Sequence, residues 1–111
     1  MKLDEDQKIE GIITAKSLTD IYYLLRKSLK EEQTRKTVKT LSKLFTVADT
    51  FASDCEMALI SEMNDYEEAI MVETAKRIKA DCIVTRNIKG YQESSVRIYL
   101  PEDLCRFINN N

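Results

Sequence analysis

The residues with the clearest chemical potential are carboxylates at the starts of two predicted helices. Glu68 lies three residues before Met71 and four before Val72, so it heads the core-facing stripe of its helix. A carboxylate aimed at a core needs a partner, a metal ion or a position at the rim. Asp20 lies in the first predicted turn of the helix that follows the first apolar run. Taken singly, each acid is more simply explained as a charge that complements a helix start.

Taken together, the two acids point to a hard cation. Carboxylates from two helix starts, both close to strand ends, supply the oxygen ligands that Mg²⁺ or Mn²⁺ binds while keeping waters. Such an ion can activate water for attack on a phosphodiester and stabilise the leaving oxygen. Thr85 and Asn87 follow an apolar strand, at the end where ligands of open α/β sheets lie. Asp65 and Glu67 are better explained as helix caps.

The elements that must position these residues alternate between short apolar runs and helical stretches, which predicts a parallel α/β sheet. Strands are predicted over residues 11–15, 44–48, 81–84 and 96–100. Helices are predicted over about 17–28, 31–43, 50–62 and 64–79, and from Pro101 onward. Residues 2–9 are polar and predict a short helix or a frayed end.

Side-chain patterns predict the caps of these helices and the faces that pack against the core. Ser17, Asp49 and Asn64 are the predicted caps of the first, third and fourth helices. The apolar residues expected to face the core of the third and last helices are Phe51, Cys55, Ala58, Leu59, Leu104, Phe107 and Ile108.

The composition predicts one globular domain over residues 1–111. Hydrophobic residues make up 43% and charged residues 32%, and the net charge of −2 gives no global field that recruits nucleic acid. The absence of histidine excludes Ser-His-Asp and Cys-His catalysis and disfavours the usual zinc sites. Cys55, Cys82 and Cys105 are far apart, which predicts reduced, mostly buried thiols in a cytoplasmic protein. No apolar run approaches the roughly 18 residues of a membrane span, and the acidic start does not resemble a signal peptide.

Three segments of the chain resemble successive motifs of the PIN domain family. They are SLTDIYYLLRK at residues 17–27, NDYEEA at 64–69 and DCIVTRN at 81–87, in the family's order and at about its spacing. The resemblance extends from about residue 9 to residue 107. It implies an α/β/α sandwich with a mainly parallel sheet of about four strands. It also implies a ribonuclease that depends on Mg²⁺ or Mn²⁺, often the toxin of a bacterial toxin–antitoxin pair.

The resemblance implies a set of site residues as well. Asp20 matches an acid of the first motif that is more usually Glu, and Glu68 matches an acid that is usually Asp. Asp65 matches the opening Asp of the second motif, Asn87 matches a position where Asp is frequent, and Gly90 falls where a further Asp often follows. The candidates are therefore Asp20 and Glu68 for catalysis, Asp20, Glu68, Asp65 and Asn87 for the metal ion, and Thr85, Arg86 and Lys89 for weak RNA contacts.

The chain departs from the family pattern at its N-terminus. A PIN domain begins with a strand that ends in an acidic motif, followed by a helix, and this chain begins too late to contain them. We therefore expect the first metal-binding acid and a central strand to be missing, with activity weakened or lost. Exposed strand edges invite pairing with another chain, which predicts a homodimer or a swapped oligomer. An antitoxin-like protein is a further partner that the resemblance implies.

Two alternatives to a ribonuclease stay open. One is a catalytically silent, homodimeric interaction or regulatory protein. The other is an unrelated small α/β binding domain that imitates the motifs by chance. A basic helix face would meet RNA phosphates in the enzyme, although a solvated surface is the simpler explanation for it. That face comprises Arg26, Lys27, Lys30, Arg35, Lys36 and Lys39.

Overall fold

The computed structural model describes residues 2–3 and 9–109, without the side chains of residues 2, 3, 107 and 108. Its strands are β1 (Lys2–Leu3), β2 (Ile9–Glu10), β3 (Ile12–Thr14), β4 (Thr46–Ala48), β5 (Ile83–Val84) and β6 (Ile98–Tyr99). Its α-helices are α1 (Ala15–Arg26), α2 (Glu31–Leu44), α3 (Ala52–Leu59), α4 (Tyr66–Arg77) and α5 (Pro101–Asn109). A short 3-10 helix covers Ile88–Tyr91.

Parallel pairing confirms the predicted α/β class. β3 pairs with β4, with Ile12 opposite Thr46, and β5 pairs with β6, with Ile83 opposite Ile98. β1 and β2 form a separate antiparallel pair. Within the described residues, no hydrogen-bonded ladder joins one pair to another, so the short strands form three two-stranded pieces.

The core lies along α4, as the apolar stripe of that helix predicts. Val72 and Ala75 are buried there, and they pack with Ile83 of β5 and with Tyr91. Partly buried Met71 packs against this cluster. The helix therefore fixes the strand that ends at the predicted site.

The structure corrects the predicted N-terminal caps of three helices. Thr14 caps α1 by accepting a hydrogen bond from the Ser17 amide at 3.0 Å, so the predicted Ser17 cap is wrong. Because the helix begins one residue after β3, Asp20 lies in its second turn rather than its first. Asp65, not Asn64, caps α4 through the Glu68 amide at 3.0 Å.

The third cap correction concerns α3, which begins after Phe51 rather than at Asp49. The Phe51 amide donates to Asp54 at 2.9 Å. The predicted inward face is also wrong in part, because Phe51 is 50% exposed and Leu59 71% exposed. Ala58 is buried as predicted, and Asp54 is buried beside it.

The two chain ends agree with the predictions only in part. Lys2–Leu3 is a strand rather than a helix, and residues 4–8 lie outside the described residues. Pro101 opens α5 and Leu104 is buried, both as predicted. The predicted contacts of Phe107 and Ile108 lie outside the described side chains.

Two further expectations concern the thiols and membrane spans. None of the three cysteines forms a disulfide within the described residues: Cys82 is buried, Cys55 is half-buried and Cys105 is exposed. Among the described residues, no helix combines the length and apolarity that a membrane crossing requires.

Candidate functional site

A cavity of about 540 Å³ lies where β3 and β5 end, between α1 and α4. Asp20 of α1 and Glu68 of α4 both line it, together with Thr85 at the end of β5. The fold therefore brings the two predicted catalytic acids to one cavity, although 48 positions separate them along the chain. Carboxyl ends of parallel strands meet at one edge of a sheet, which explains the convergence.

Glu68 is held at one oxygen and left without a partner at the other. Its Oε1 accepts a hydrogen bond from Nδ2 of Asn87 at 2.5 Å. Its Oε2 is buried and has no hydrogen-bond partner among the described residues. The carboxylate also packs directly against Gly90. A buried carboxylate oxygen without a partner is unfavourable, so this atom marks a position for a cation or a proton donor.

The surroundings of Glu68 favour its protonated form. Burial raises the pKa of Glu68, and the negative charge of Asp65 raises it further. The hydrogen bond from Asn87 opposes this shift. Burial also raises the pKa of Tyr91 to about 12, so a neutral phenol lines the cavity beside the acid.

Asp20 is engaged by Lys16, a residue that lies outside the three sequence motifs. Nζ of Lys16 lies 2.8 Å from Oδ2 of Asp20 and 3.8 Å from Oε2 of Glu67. The hydrogen bond with Asp20 raises the pKa of Lys16, so the ammonium group stays charged. The four-residue spacing of Lys16 and Asp20 on one helix was the available signal. Lys16 thus stands between carboxylates of α1 and α4.

The acids do not form a dense metal cluster. Over the part of the chain that the structure describes, no group of three or more His, Cys, Asp or Glu side chains is placed to hold a metal ion. Lys16 already occupies Oδ2 of Asp20, so a cation shared by Asp20 and Glu68 would compete with its ammonium group for that oxygen.

A family model for the PIN domain matches residues 1–89. This chain belongs to the PIN domain family. The family predicted from the three motifs is therefore confirmed, and with it a relationship to nuclease-like proteins. No curated protein and no solved structure matches the chain.

Three further predicted residues of this PIN domain, Asp65, Arg86 and Asn87, are not among those that line the cavity. Asp65 is exposed and serves as the cap of α4. Asn87 is exposed and fixed by its own backbone amide, which donates to Oγ1 of Thr85 at 3.0 Å. Arg86 is paired with Glu102 at 3.0 Å in an exposed ion pair.

The predicted basic surfaces of the PIN domain are partly neutralised. Arg35 pairs with Glu31 at 2.8 Å and Lys36 pairs with Glu32 at 3.6 Å, both along α2. Lys89 is exposed in the 3-10 helix beside the cavity. These pairs support the simpler explanation of the α2 face as a solvated surface.

The raised pKa of Glu68 predicts that Glu68→Gln stabilises the PIN domain at neutral pH. A carboxyl group whose pKa is higher in the folded than in the unfolded state penalises folding as pH rises from about 4.5 through the raised pKa. Glutamine removes that penalty. The variant should therefore match wild type at low pH and unfold at a higher temperature than wild type near neutral pH.

Thermal unfolding monitored by circular dichroism across this pH range checks the prediction. Glu67→Gln is the matched control, because Glu67 is 74% exposed in the same helical turn. It should change Tm little at any pH. A Glu68→Gln variant that is no more stable than wild type at neutral pH would show that the buried carboxylate carries no penalty.

Proposed function

We propose that this PIN domain is a weakly active endoribonuclease that uses Mg²⁺ or Mn²⁺. The observation that carries the proposal is the Glu68 carboxylate, with one oxygen buried and unpartnered in a cavity that Asp20 also lines. When bound, the ion would activate water for attack on a phosphodiester and stabilise the leaving oxygen. One domain over residues 1–111, in the cytoplasm, would supply this activity.

The donor set suits such an ion. Mg²⁺ binds through one or two carboxylates and keeps several waters. Asp20 and Glu68 would supply the carboxylates, and Asp65 lies one turn away at the start of α4. Asn87 donates its Nδ2 to Glu68, which leaves its Oδ1 as a further oxygen ligand. Asn87 would also orient the Glu68 carboxylate.

The same geometry supports weak rather than strong activity. Three acids line the cavity, but Glu67 is mostly exposed to solvent and the charge of Asp20 is paired with Lys16. A ligand set with few fixed carboxylates holds the attacking water less firmly, and a misplacement of about 1 Å can cost about 100-fold in rate. We therefore expect slow cleavage that responds to metal concentration.

RNA would approach across the end of β5. Thr85 lines the cavity, while Arg86 and Lys89 are exposed beside it. The ion pair between Arg86 and Glu102 is solvent-exposed, so a phosphate can replace Glu102 at little cost. These residues would position the backbone of RNA without reading its sequence. An antitoxin-like protein that covers this surface is part of the proposal, since the resemblance to PIN domains implies a member of a toxin–antitoxin pair.

A second candidate function is a catalytically silent, homodimeric interaction or regulatory protein. The placement of Lys16 favours it, because the ammonium group already neutralises Asp20 and lies near Glu67. In that case Lys16 would act as a permanent substitute for the cation. A monomer in sedimentation at high protein concentration would contradict the homodimer.

The cleavage test compares wild type with Glu68→Ala on single-stranded RNA in the presence of Mn²⁺. We expect slow cleavage by wild type and a loss of about 100-fold in the variant, because the best-placed carboxylate ligand is gone. Glu67→Ala, an exposed acid in the same turn, should retain cleavage. Titration calorimetry should show that Mn²⁺ binds wild type and Glu67→Ala with similar affinity and binds Glu68→Ala more weakly.

Two outcomes separate the candidates. Equal background cleavage by wild type and Glu68→Ala would overturn the ribonuclease and favour the silent protein. Cleavage that is abolished by Glu68→Ala and retained by Glu67→Ala would overturn the silent protein.

A further inference from the structure

An exposed aromatic ring lines the cavity that Asp20, Glu68 and Thr85 share, which we call the site cavity. The ring belongs to Tyr66, which opens α4 and is 44% exposed. The other aromatic side chain in the lining, that of Tyr91, is buried. Exposed aromatic residues elsewhere in the described chain are not part of the lining; they are Tyr23, Phe45 and Phe51. Tyr66 is therefore the ring that a ligand in this cavity can reach.

The ring of Tyr66 is held between two helices. Its Cα lies in the first turn of α4, and its hydroxyl donates to the carbonyl of Cys55 in α3 at 3.4 Å. The helices are also joined by Asp54 of α3, which accepts from Nε of Arg77 in α4 at 3.1 Å. A tyrosine fixed in this way presents a rigid contact surface, so a ligand loses little affinity to side-chain ordering.

We propose that Tyr66 is a stacking platform for one base of single-stranded RNA. RNA as the ligand rests on the proposed function, and the platform adds the residue that holds the RNA and the single-stranded form. Proteins commonly hold unpaired bases by stacking them on tyrosine rings, and any base can stack because each has a π face. Bases in a duplex are already stacked on their neighbours, so the ring favours single strands.

The shape of the site cavity suits one nucleotide. Tyr66, Glu67 and Glu68 are consecutive and all line it, so the cavity extends around the start of α4. Residues two apart on a helix do not face each other, which places the ring and the Glu68 carboxylate on different sides of the helix start. A nucleotide is divided in the same way, because its base projects away from its phosphates. The volume of about 540 Å³ lies within the usual range for small-ligand sites.

The charges of the site cavity explain why RNA needs such a platform. Three acids line it, and Lys16 is the single cationic side chain of the lining within the part of the chain that the structure describes. Phosphates alone would therefore be repelled until a divalent ion binds the acids. The ion pairs of Lys16 are exposed and contribute little, so its ammonium group can then turn to a phosphate. Stacking adds an attraction that does not depend on the charge of the cavity.

The binding test compares Tyr66→Leu with Tyr66→Phe, using short end-labelled single-stranded RNAs in Mg²⁺. Leucine removes the ring, whereas phenylalanine keeps the ring and removes the hydroxyl group. Fluorescence anisotropy should show at least about tenfold weaker binding to Tyr66→Leu and nearly unchanged binding to Tyr66→Phe. Tyr23→Leu is the matched control and should bind like wild type, because Tyr23 is exposed on α1 outside the site cavity.

A second measurement reports stacking directly. Pyrrolocytidine, a base analogue whose fluorescence is quenched by stacking, is placed at successive positions of the same RNA. At least one position should be quenched on binding to wild type and to Tyr66→Phe, and that quenching should be lost in Tyr66→Leu. A duplex of the same sequence should show no change that depends on Tyr66. Bound RNA without quenching at any position would overturn the platform, and this result requires only the wild-type protein.

The variants also test whether Tyr66 has only a structural role. If the ring served only to join α3 to α4 through the Cys55 carbonyl, Tyr66→Phe would lose as much RNA affinity as Tyr66→Leu. That result would overturn the platform. So would wild-type affinity in Tyr66→Leu, or the absence of RNA binding by wild type.

Two results would separate the platform from the ribonuclease. Cleavage that depends on Glu68, together with unchanged RNA affinity in Tyr66→Leu, would overturn the platform and leave the ribonuclease. Quenching that depends on Tyr66, without any cleavage, would overturn the ribonuclease and leave the platform.

Discussion

Replacement of Asp54 by alanine is expected to lower the free energy of unfolding by about 3 kcal/mol, because it leaves a partly buried arginine without its counter-charge. Asp54 is 3% exposed and accepts from Nε of Arg77 at 3.1 Å. It also accepts from the Phe51 amide at 2.9 Å and from Oγ1 of Thr74 at 3.3 Å. One carboxylate thus satisfies donors from both α3 and α4.

The effect is large because Asp54 joins the helix pair that supports the site. Arg77 also donates to the carbonyl of Asp49 at 2.6 Å, and its guanidinium lies 3.7 Å from the centroid of the Phe51 ring. Removing Asp54 frees this arginine and the start of α3 together. Domains of this kind are stable by only about 5–15 kcal/mol, so the loss is a large share of the total.

Urea unfolding followed by circular dichroism measures this loss. Asp54→Asn retains an acceptor for the Phe51 amide and should lose less, about 1–2 kcal/mol. Asp103→Ala is the control, because its ion pair with Arg106 is exposed and spans 3.6 Å, which makes it worth less than about 1 kcal/mol. Equal unfolding midpoints for Asp54→Ala and Asp103→Ala would contradict the role of Asp54.

Asp54 also shows where sequence patterns stop being informative. The spacing of Phe51, Cys55, Ala58 and Leu59 predicts an inward apolar face, yet Phe51 and Leu59 are exposed. The partners of Asp54 stand 20 and 23 positions further along the chain, so no local pattern reveals the pairing. The alternation of strands and helices was predictable because it depends on local apolar spacing and on single residues such as Pro101.

The same distinction between local patterns and contacts distant in sequence applies to the candidate site. Glu68 was predictable as the head of an apolar stripe, because both belong to one helix. Its contact with Asn87 depends on how the loop after β5 returns over α4, which the sequence does not state. Asp20 was placed one turn too early, because the hydroxyl of Thr14 caps α1 ahead of Ser17. Its engagement by Lys16 follows from that shift.

The second large effect is expected at Gly90, where an added methyl group would displace the Glu68 carboxylate. An alanine Cβ at this position would come within 2.5 Å of Cδ of Glu68. Gly90 does not have a positive φ, so alanine fits its backbone and the overlap is the sole conflict. The carboxylate is the far end of a flexible side chain, so it can move aside. The fold should therefore keep its stability to within about 1 kcal/mol.

Displacement of Glu68 should nevertheless abolish the proposed site. We expect Gly90→Ala to lower Mn²⁺ affinity and RNA cleavage by about 100-fold, the scale of loss that a misplaced catalytic group causes. Gly11→Ala is the matched control, because its Cβ would meet the ring of Phe45 at 2.6 Å, and that ring does not line the site cavity. Full Mn²⁺ affinity in Gly90→Ala would exclude Glu68 as a ligand.

The position of Glu68 can be followed even if the protein proves catalytically silent. The side-chain amide of Asn87 donates to Glu68, so its NMR signal reports that contact directly. The signal should shift in Gly90→Ala and in Glu68→Ala, and it should stay unchanged in Gly11→Ala. A shifted Asn87 signal together with unchanged Mn²⁺ binding would show that moving the Glu68 carboxylate does not affect the metal ion. In that case the hydrogen bond positions the loop after β5, and the metal ion is held elsewhere.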